Sequence, residues 1–236
     1  MAGAAVTRFG AVIFDLYGTL VPEFAAADWD EHFERMATAL SVDATTLRRE
    51  WQATAIERQT GRMGDIAANI RSICERVGRR PTDDQLEAAL RVRAWLYAKY
   101  FRPRPGAAET LRALKRDGYA TALVSMCAPD TPELWRASTL APFVDVEVFS
   151  SEVGLRKPEP AIYLLACSGL GVEPSACLYV GDGSYGELTG AAALGMRAVL
   201  IRDADEVEGE IHRPEVEQWT GPRIARLSET LDLLRA

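Results

Sequence analysis

Short runs of apolar residues, rich in β-branched side chains and bounded by turn-forming residues, recur along this chain. Such continuous runs are typical of strands buried on both faces of a parallel sheet. They predict five strands, at 11–16, 120–126, 144–149, 177–181 and 198–201. Helical patterns accompany the last four strands, at 107–116, 132–138, 161–170 and 185–194, and a closing helix is predicted at 227–235. This alternation predicts an α/β fold built on a doubly wound parallel sheet with right-handed crossovers.

The interval between the first and second predicted strands has no strand pattern. It predicts four helices instead, at 29–40, 44–58, 63–77 and 83–100. Asp43 or Thr45 and Thr82 are candidate N-caps for two of them. We therefore predict a core domain of residues 1–20 and 103–236, with an all-α domain of residues 21–102 inserted after the first strand. The tail at 203–221 is acidic and is expected to be irregular.

Composition excludes several classes of protein. The 236 residues are 48% hydrophobic and 26% charged, which is ordinary for a globular protein and excludes a disordered chain. A net charge of −7 argues against a nucleic-acid partner. The longest uncharged stretch, 160–172, is too short to cross a membrane, and no signal peptide is apparent. The four cysteines lack zinc-ligand spacing, so we expect a cytoplasmic protein with reduced thiols.

Four of the predicted strands are followed by residues suited to chemistry. Asp15, Ser125, Lys157 and Asp182 each lie at or just after the carboxyl end of a strand, where parallel sheets bind ligands. Each has a structural alternative, since Asp and Ser often form turns or helix caps and a loop Lys is usually solvated. Together they suit a carboxylate nucleophile, a second carboxylate sharing Mg²⁺, and phosphate-binding groups. Lys157 is one of only three lysines among 27 basic residues, which favours a functional role.

The same residues resemble the four ordered motifs of the haloacid dehalogenase-like (HAD) hydrolase superfamily. The motifs read Asp15-Leu-Tyr-Gly-Thr-Leu, Ser125, Lys157-Pro158 and Gly-Asp182-Gly…Glu187. The helical insert resembles the C1-type cap of that superfamily, and the predicted sheet its Rossmann-like core. The resemblance implies a hydrolase acting on a small phosphorylated molecule with Mg²⁺. We expect a monomer or a homodimer.

The resemblance also implies a role for each motif residue. Asp15 is the expected nucleophile, with Lys157 and Ser125 as its catalytic partners. Asp15, the main-chain carbonyl of Tyr17 and Asp182 are the expected metal ligands, supported by Glu187 and Gly183. The expected substrate-binding residues are Gly18, Thr19, Ser125, Met126 and Lys157.

Tyr17 departs from the phosphatase pattern. Phosphatases of this superfamily usually carry an Asp there, which protonates the leaving group, whereas Tyr is similar to the 2-haloacid dehalogenases. A phenol is a poor proton donor at neutral pH. Asp182 and Glu187 nonetheless indicate a cation site, since carboxylates in one pocket would otherwise repel an anionic substrate. We therefore favour a Mg²⁺-dependent phosphohydrolase that prefers aryl or acyl phosphates. A metal-independent 2-haloacid dehalogenase and a catalytically silent binding protein remain alternatives.

The helical domain carries several candidate specificity residues. Its arginines include Arg48, Arg49, Arg58 and Arg62, and its tryptophans are Trp29, Trp51 and Trp95. Most are expected on a solvated face or in the core of amphipathic helices, with one or two facing the substrate. His32 and His212 lie outside the motifs and are not expected to be catalytic.

Overall fold

The fold is centred on one parallel six-stranded sheet. A computed structural model describes residues 9–203 and 213–235. The strands are β1 (Ala11–Phe14), β2 (Ala120–Ser125), β3 (Val146–Phe149), β4 (Cys177–Gly181), β5 (Arg197–Ile201) and β6 (Arg223–Ile224). They are arranged in the order β3-β2-β1-β4-β5-β6, with every neighbouring pair parallel. The predicted α/β doubly wound fold is confirmed.

Helices cover both faces of this sheet. Those that follow β1 in the core are α6 (Ala107–Arg116), α7 (Thr131–Arg136), α8 (Ser150–Val153), α9 (Pro160–Leu170), α10 (Glu187–Ala193), α11 (Pro214–Gln218) and α12 (Glu229–Arg235). Alternate strand residues point to opposite faces. Val12 and Phe14 pack in the same buried cluster as Leu111 of α6, whereas Ala11 and Ile13 pack with residues of α9 and α10. The sheet is therefore buried on both sides.

The interval between β1 and β2 is helical throughout its regular structure. Its helices are α1 (Ala26–Leu40), α2 (Ala44–Ala53), α3 (Ala55–Gln59), α4 (Ile66–Arg76) and α5 (Asp83–Tyr100). Asp43 and Thr82 are the N-caps of α2 and α5, accepting from the amides of Thr46 and Gln85. The helices α1, α2, α4 and α5 share an apolar cluster, which includes Phe33 and Trp51. A separate domain at 21–102 stays a prediction.

Three elements differ from the predicted ones. The prediction of a single helix at 44–58 is wrong, because the helix is interrupted at Thr54 and continues as α3. The Thr54 hydroxyl donates to the carbonyl of Glu50 at 2.8 Å, a contact that often bends helices. The helix expected from residue 185 begins at Glu187, because Tyr185 and Gly186 have left-handed backbone conformations. The tail expected to be irregular at 203–221 contains α11, while residues 204–212 lie outside the described part of the chain. The two-residue strand β6 follows that tail and was not predicted.

Candidate active site

The carboxyl ends of β1, β2 and β4 bring the predicted residues together. Because β1 lies between β2 and β4, Asp15 is flanked by Ser125 at the end of β2 and Asp182 just after β4. The amide of Asp15 donates to the carbonyl of Val180 at 2.9 Å, which continues the sheet pairing past the end of β1. Lys157 reaches the same edge from the loop after α8.

Lys157 bridges two carboxylates in the interior. Its Nζ lies 2.5 Å from Oδ1 of Asp15 and 2.6 Å from Oε2 of Glu187, and its side chain has no exposed surface. Burial raises the pKa of Glu187 to about 8, against the lowering effect of Lys157 and with a further contribution from Asp15. The pKa of Asp15 is raised in the same way, first by burial. The two carboxylates hold the pKa of Lys157 well above its ordinary value, so the ammonium is charged.

Glu187 is fixed by contacts on both of its oxygens. The Tyr179 hydroxyl donates to Oε2 at 2.7 Å, and the Gly183 amide donates to Oε1 at 3.0 Å. A Cβ at Gly181 would lie 2.2 Å from Oε1, so only glycine allows this approach. Glu187 is therefore placed to orient Lys157, and Gly183 is placed to support Glu187.

The carboxylates of Asp15, Asp182 and Glu187 form a cluster suited to a hard cation. One oxygen of each lies within 4.8 Å of the others, and all three residues are buried. The backbone also accommodates Asp182 closely, since a Cβ at Gly18 would lie 2.2 Å from its Oδ2. Mg²⁺ prefers carboxylate oxygens as ligands, so this donor set fits it.

A second cation, Arg213, contacts Asp182 from the beginning of α11. Its Nε donates to Oδ2 of Asp182 at 2.6 Å, and its Nη1 donates to Oε1 of Glu23 at 2.5 Å. These two carboxylates hold the pKa of Arg213 above its ordinary value, despite burial. The Arg213 guanidinium therefore pairs with two carboxylates, that of the predicted metal ligand Asp182 and that of Glu23, which lies outside the motifs.

The Tyr17 side chain lies among aromatic residues and beside Thr131. Its hydroxyl lies 3.2 Å from Oγ1 of Thr131, and its ring packs 5.0 Å from that of Phe24 and 6.3 Å from that of Tyr97. Burial raises the pKa of the phenol well above its ordinary value, with Tyr97 the next cause. The phenol is therefore an even weaker acid than a free tyrosine.

The predicted substrate-binding residues lie beside this cluster. The hydroxyls of Ser125 and Thr19 are buried without a hydrogen-bond partner among the described residues. Buried polar atoms are normally satisfied, so two such hydroxyls at one sheet edge suit the oxygens of a ligand. Gly18 has a left-handed backbone conformation, and its carbonyl accepts from Arg104. Met126 accepts a weak contact from the Lys157 amide at 3.4 Å.

A cavity of about 280 Å³ opens beside Tyr17 and Met126. Its aromatic lining consists of Tyr17, Phe24, Trp29, Trp51, Tyr97 and Tyr185. Of the candidate specificity residues, Arg58, Trp29 and Trp51 line this cavity. Those that do not are Arg48, Arg49, Arg62 and Trp95.

Neither histidine joins the cluster in the described structure. His32 is buried against Trp29, with ring centroids 5.3 Å apart, and burial lowers its pKa to about 3. It is therefore neutral in the range where enzymes work. His212 lies outside the described residues.

Sequence reasoning did not identify Tyr179, Arg213 or Glu23. Tyr179 lies inside an apolar strand, and the need of a buried hydroxyl for a hydrogen-bond partner was the one signal that could have indicated its contact with Glu187. Arg213 and Glu23 are 190 positions apart and belong to no motif. Their contact depends on where α11 packs, which residue types alone do not reveal.

The fold and this buried cluster define a hydrolase of the doubly wound α/β class. A model of the haloacid dehalogenase-like hydrolase family matches residues 9–195, and the chain belongs to this family. No helix among the described residues is long and apolar enough to span a membrane.

Relatives of the chain include both phosphatases and dehalogenases. A glyceraldehyde 3-phosphate phosphatase of Methanopyrus kandleri is 28% identical over 86% of this chain and 93% of its own. The match to an enzyme of the same name from Pyrococcus furiosus, 29% identical, spans 56% of each chain. The (S)-2-haloacid dehalogenase 4A of Burkholderia cepacia is 28% identical over 83% of this chain and 84% of its own.

Solved structures share the fold over nearly the whole chain. The crystal structure of a HAD phosphatase from Thermococcus onnurineus has a TM-score of 0.66 and 20% identity, and covers 96% of this chain and 98% of its own. At that identity, the similarity shows the fold alone.

Proposed function

We propose that this protein is a Mg²⁺-dependent phosphohydrolase that forms an aspartyl-phosphate on Asp15. The buried cluster of Asp15, Asp182 and Glu187 carries this proposal. Lys157 contacts two of these carboxylates, and Arg213 contacts the third but shares its charge with Glu23. Carboxylates packed this closely favour a divalent cation, which would shield the nucleophile from an anionic substrate.

Asp15, Asp182 and the Tyr17 carbonyl would hold Mg²⁺, with Glu187 supporting them. Bound there, Mg²⁺ would supply positive charge to the phosphoryl oxygens. An oxygen of Asp15 attacks phosphorus, the bond from phosphorus to the leaving oxygen breaks, and water then hydrolyses the acyl phosphate. The hydroxyls of Ser125 and Thr19 donate to the phosphoryl oxygens, and Lys157 neutralises charge that develops on them.

The surroundings of Tyr17 restrict the leaving group. Its phenol contacts Thr131 instead of the carboxylate cluster, and its raised pKa makes it a poor proton donor. We therefore expect substrates whose leaving group departs as an anion, such as aryl or acyl phosphates. Comparable turnover of alkyl and aryl phosphates would contradict this expectation.

The first experiment is phosphate release from 4-nitrophenyl phosphate with Mg²⁺ and with EDTA. We expect release that requires Mg²⁺ and disappears in Asp15→Asn. Asp117→Asn, which alters a surface carboxylate paired with Arg116 and Arg235, is the matched control and should retain full activity. Activity that survives in Asp15→Asn would refute the nucleophile assignment.

A metal-independent 2-haloacid dehalogenase is the second candidate. Two observations favour it: Tyr17, and the ion pair by which Arg213 supplies positive charge to Asp182 without a metal. Its signature is halide release from 2-chloropropionate in EDTA. Neither phosphate nor halide release would support the silent binding protein.

A further inference from the structure

Arg58 is a buried cation that lines the aromatic cavity. Only 5% of the residue is exposed. Its Nη2 donates to the carbonyl of Trp51 at 2.7 Å, its Nε donates to Oγ1 of Thr54 at 3.3 Å, and its guanidinium lies 4.0 Å from the Trp51 ring centroid. These partners are all neutral. Within residues 9–203 and 213–235, no carboxylate forms an ion pair with Arg58.

The neighbouring Arg93 lines the same cavity and, unlike Arg58, is ion-paired, although its Nη1 is buried without a hydrogen-bond partner among the described residues. Its guanidinium makes two contacts with Asp130, at 2.5 and 3.0 Å, and donates to the Tyr97 hydroxyl at 2.6 Å. It lies 5.2 Å from the Trp51 ring, so both guanidinium groups approach one indole. Of these two neighbouring buried cations, only Arg93 forms an ion pair among the described residues.

A buried charge without a counter-charge is costly, so an anionic ligand in contact with Arg58 would be stabilised by it. Burial lowers the pKa of Arg58 to about 10, with repulsion by Arg93 as the next cause. The guanidinium is still charged at neutral pH. Its planar donors match the two oxygens of a carboxylate or phosphate.

We propose that Arg58 binds an oxyanion on the substrate, remote from the phosphoryl group that Asp15 attacks. This inference rests on the proposed phosphohydrolase function. It defines the substrate as a small molecule with two anionic groups. Its phosphoryl group would lie at the carboxyl edge of the sheet, and its apolar middle against Trp51 and Phe24. A carboxylate or second phosphoryl group would lie at Arg58. The cavity of about 280 Å³ limits that molecule to a small metabolite.

The test compares two aryl phosphates with similar leaving groups. 4-(Carboxymethyl)phenyl phosphate carries a remote carboxylate, and 4-methylphenyl phosphate lacks it. We expect the wild type to favour the carboxylate by about 10- to 100-fold in kcat/KM, as charged hydrogen bonds imply. Arg58→Gln should abolish this preference, so that the two substrates have similar kcat/KM, while Arg58→Lys restores part of it. A third substrate, 4-(phosphonomethyl)phenyl phosphate, carries a remote phosphonate. Comparing its kcat/KM with that of the carboxymethyl substrate shows whether Arg58 prefers a phosphoryl group or a carboxylate.

The matched control is Arg62→Gln, an exposed arginine of the same segment outside the cavity. It should keep the wild-type preference. Equal kcat/KM for the charged and neutral substrates in the wild type would overturn the proposal. A parallel loss of both activities in Arg58→Gln, together with a lower urea midpoint, would also overturn it by showing a structural arginine.

Binding separates this proposal from the proposed reaction. Phenylacetate should change the tryptophan fluorescence of the wild type, because Trp51 contacts Arg58, and should have no effect on Arg58→Gln. If no aryl phosphate is hydrolysed but this difference persists, the phosphohydrolase assignment fails and the anion site stands. If phosphate is released but phenylacetate binds both proteins alike, the reaction stands and the Arg58 site fails.

Discussion

Replacing Glu187 by Gln should change how the stability of the metal-free protein depends on pH. Glu187 is fully buried, and its pKa is raised from 4.5 to about 8. Between these values the folded protein holds a proton that the unfolded chain has released. Stability therefore falls as pH rises through this interval, by several kcal/mol, since about 1.4 kcal/mol accompanies each pH unit. Glu187→Gln removes this group, so its stability should fall less.

The assay is urea unfolding in EDTA at several pH values from 5.5 to 8. From pH 5.5 to 8, the unfolding free energy of the wild type should fall by several kcal/mol more than that of Glu187→Gln. Comparing slopes cancels the constant cost of losing one partner of Lys157. Tyr179→Phe, which removes the hydroxyl that donates to Oε2 but keeps the carboxylate, should retain a slope at least as steep as the wild type. Parallel pH profiles for the wild type and Glu187→Gln would refute the reasoning.

Three further substitutions test neighbouring parts of the site. Tyr17→Phe should leave the pH profile of aryl phosphate hydrolysis unchanged and cost about 1 kcal/mol in urea unfolding, because it removes a hydroxyl whose hydrogen-bond partner among the described residues is Thr131. An altered profile would assign the phenol a proton-transfer role. Arg213→Gln should tighten Mg²⁺ binding on the order of 10-fold in calorimetric titration, because it removes a cation 2.6 Å from Oδ2 of Asp182. Weaker binding would show instead that Arg213 orients Asp182. Lys157→Arg should lower kcat for 4-nitrophenyl phosphate by about 100-fold or more, because the larger guanidinium cannot occupy a fully buried position between Asp15 and Glu187; unchanged kcat would contradict this.

Apolar runs predicted most of the sheet because its strands are buried on both faces. β2, β4 and β5 match the predicted strands to within one residue, and β1 is two residues shorter. The strand β6 has only two residues at the sheet edge, too few for a recognisable pattern. The break at Thr54 depends on a hydroxyl bonding to a carbonyl of the preceding turn, which helical periodicity does not reveal.

The motif residues were predictable because parallel topology brings the carboxyl ends of neighbouring strands together. Asp15, Ser125 and Asp182 needed only the strand order to become neighbours. Arg58 is different: its sequence surroundings are those of a solvated helix, like those of Arg62. The two can be told apart only once α2 and α5 have packed, because packing buries Arg58 against Trp51 and commits Asp130 to Arg93.

The proposed roles of Tyr17 and Arg58 restrict different ends of the same substrate. At the reacting end, a phenol bonded to Thr131 with a raised pKa cannot assist a poor leaving group, so the leaving oxygen must already be stable as an anion. At the far end, an unpaired guanidinium favours an oxyanion. An aryl, enol or acyl phosphate bearing a carboxylate satisfies both conditions, whereas an alkyl phosphate with a neutral tail satisfies neither. If the two proposals hold, they should therefore act together, with the largest kcat/KM for a substrate that combines both features.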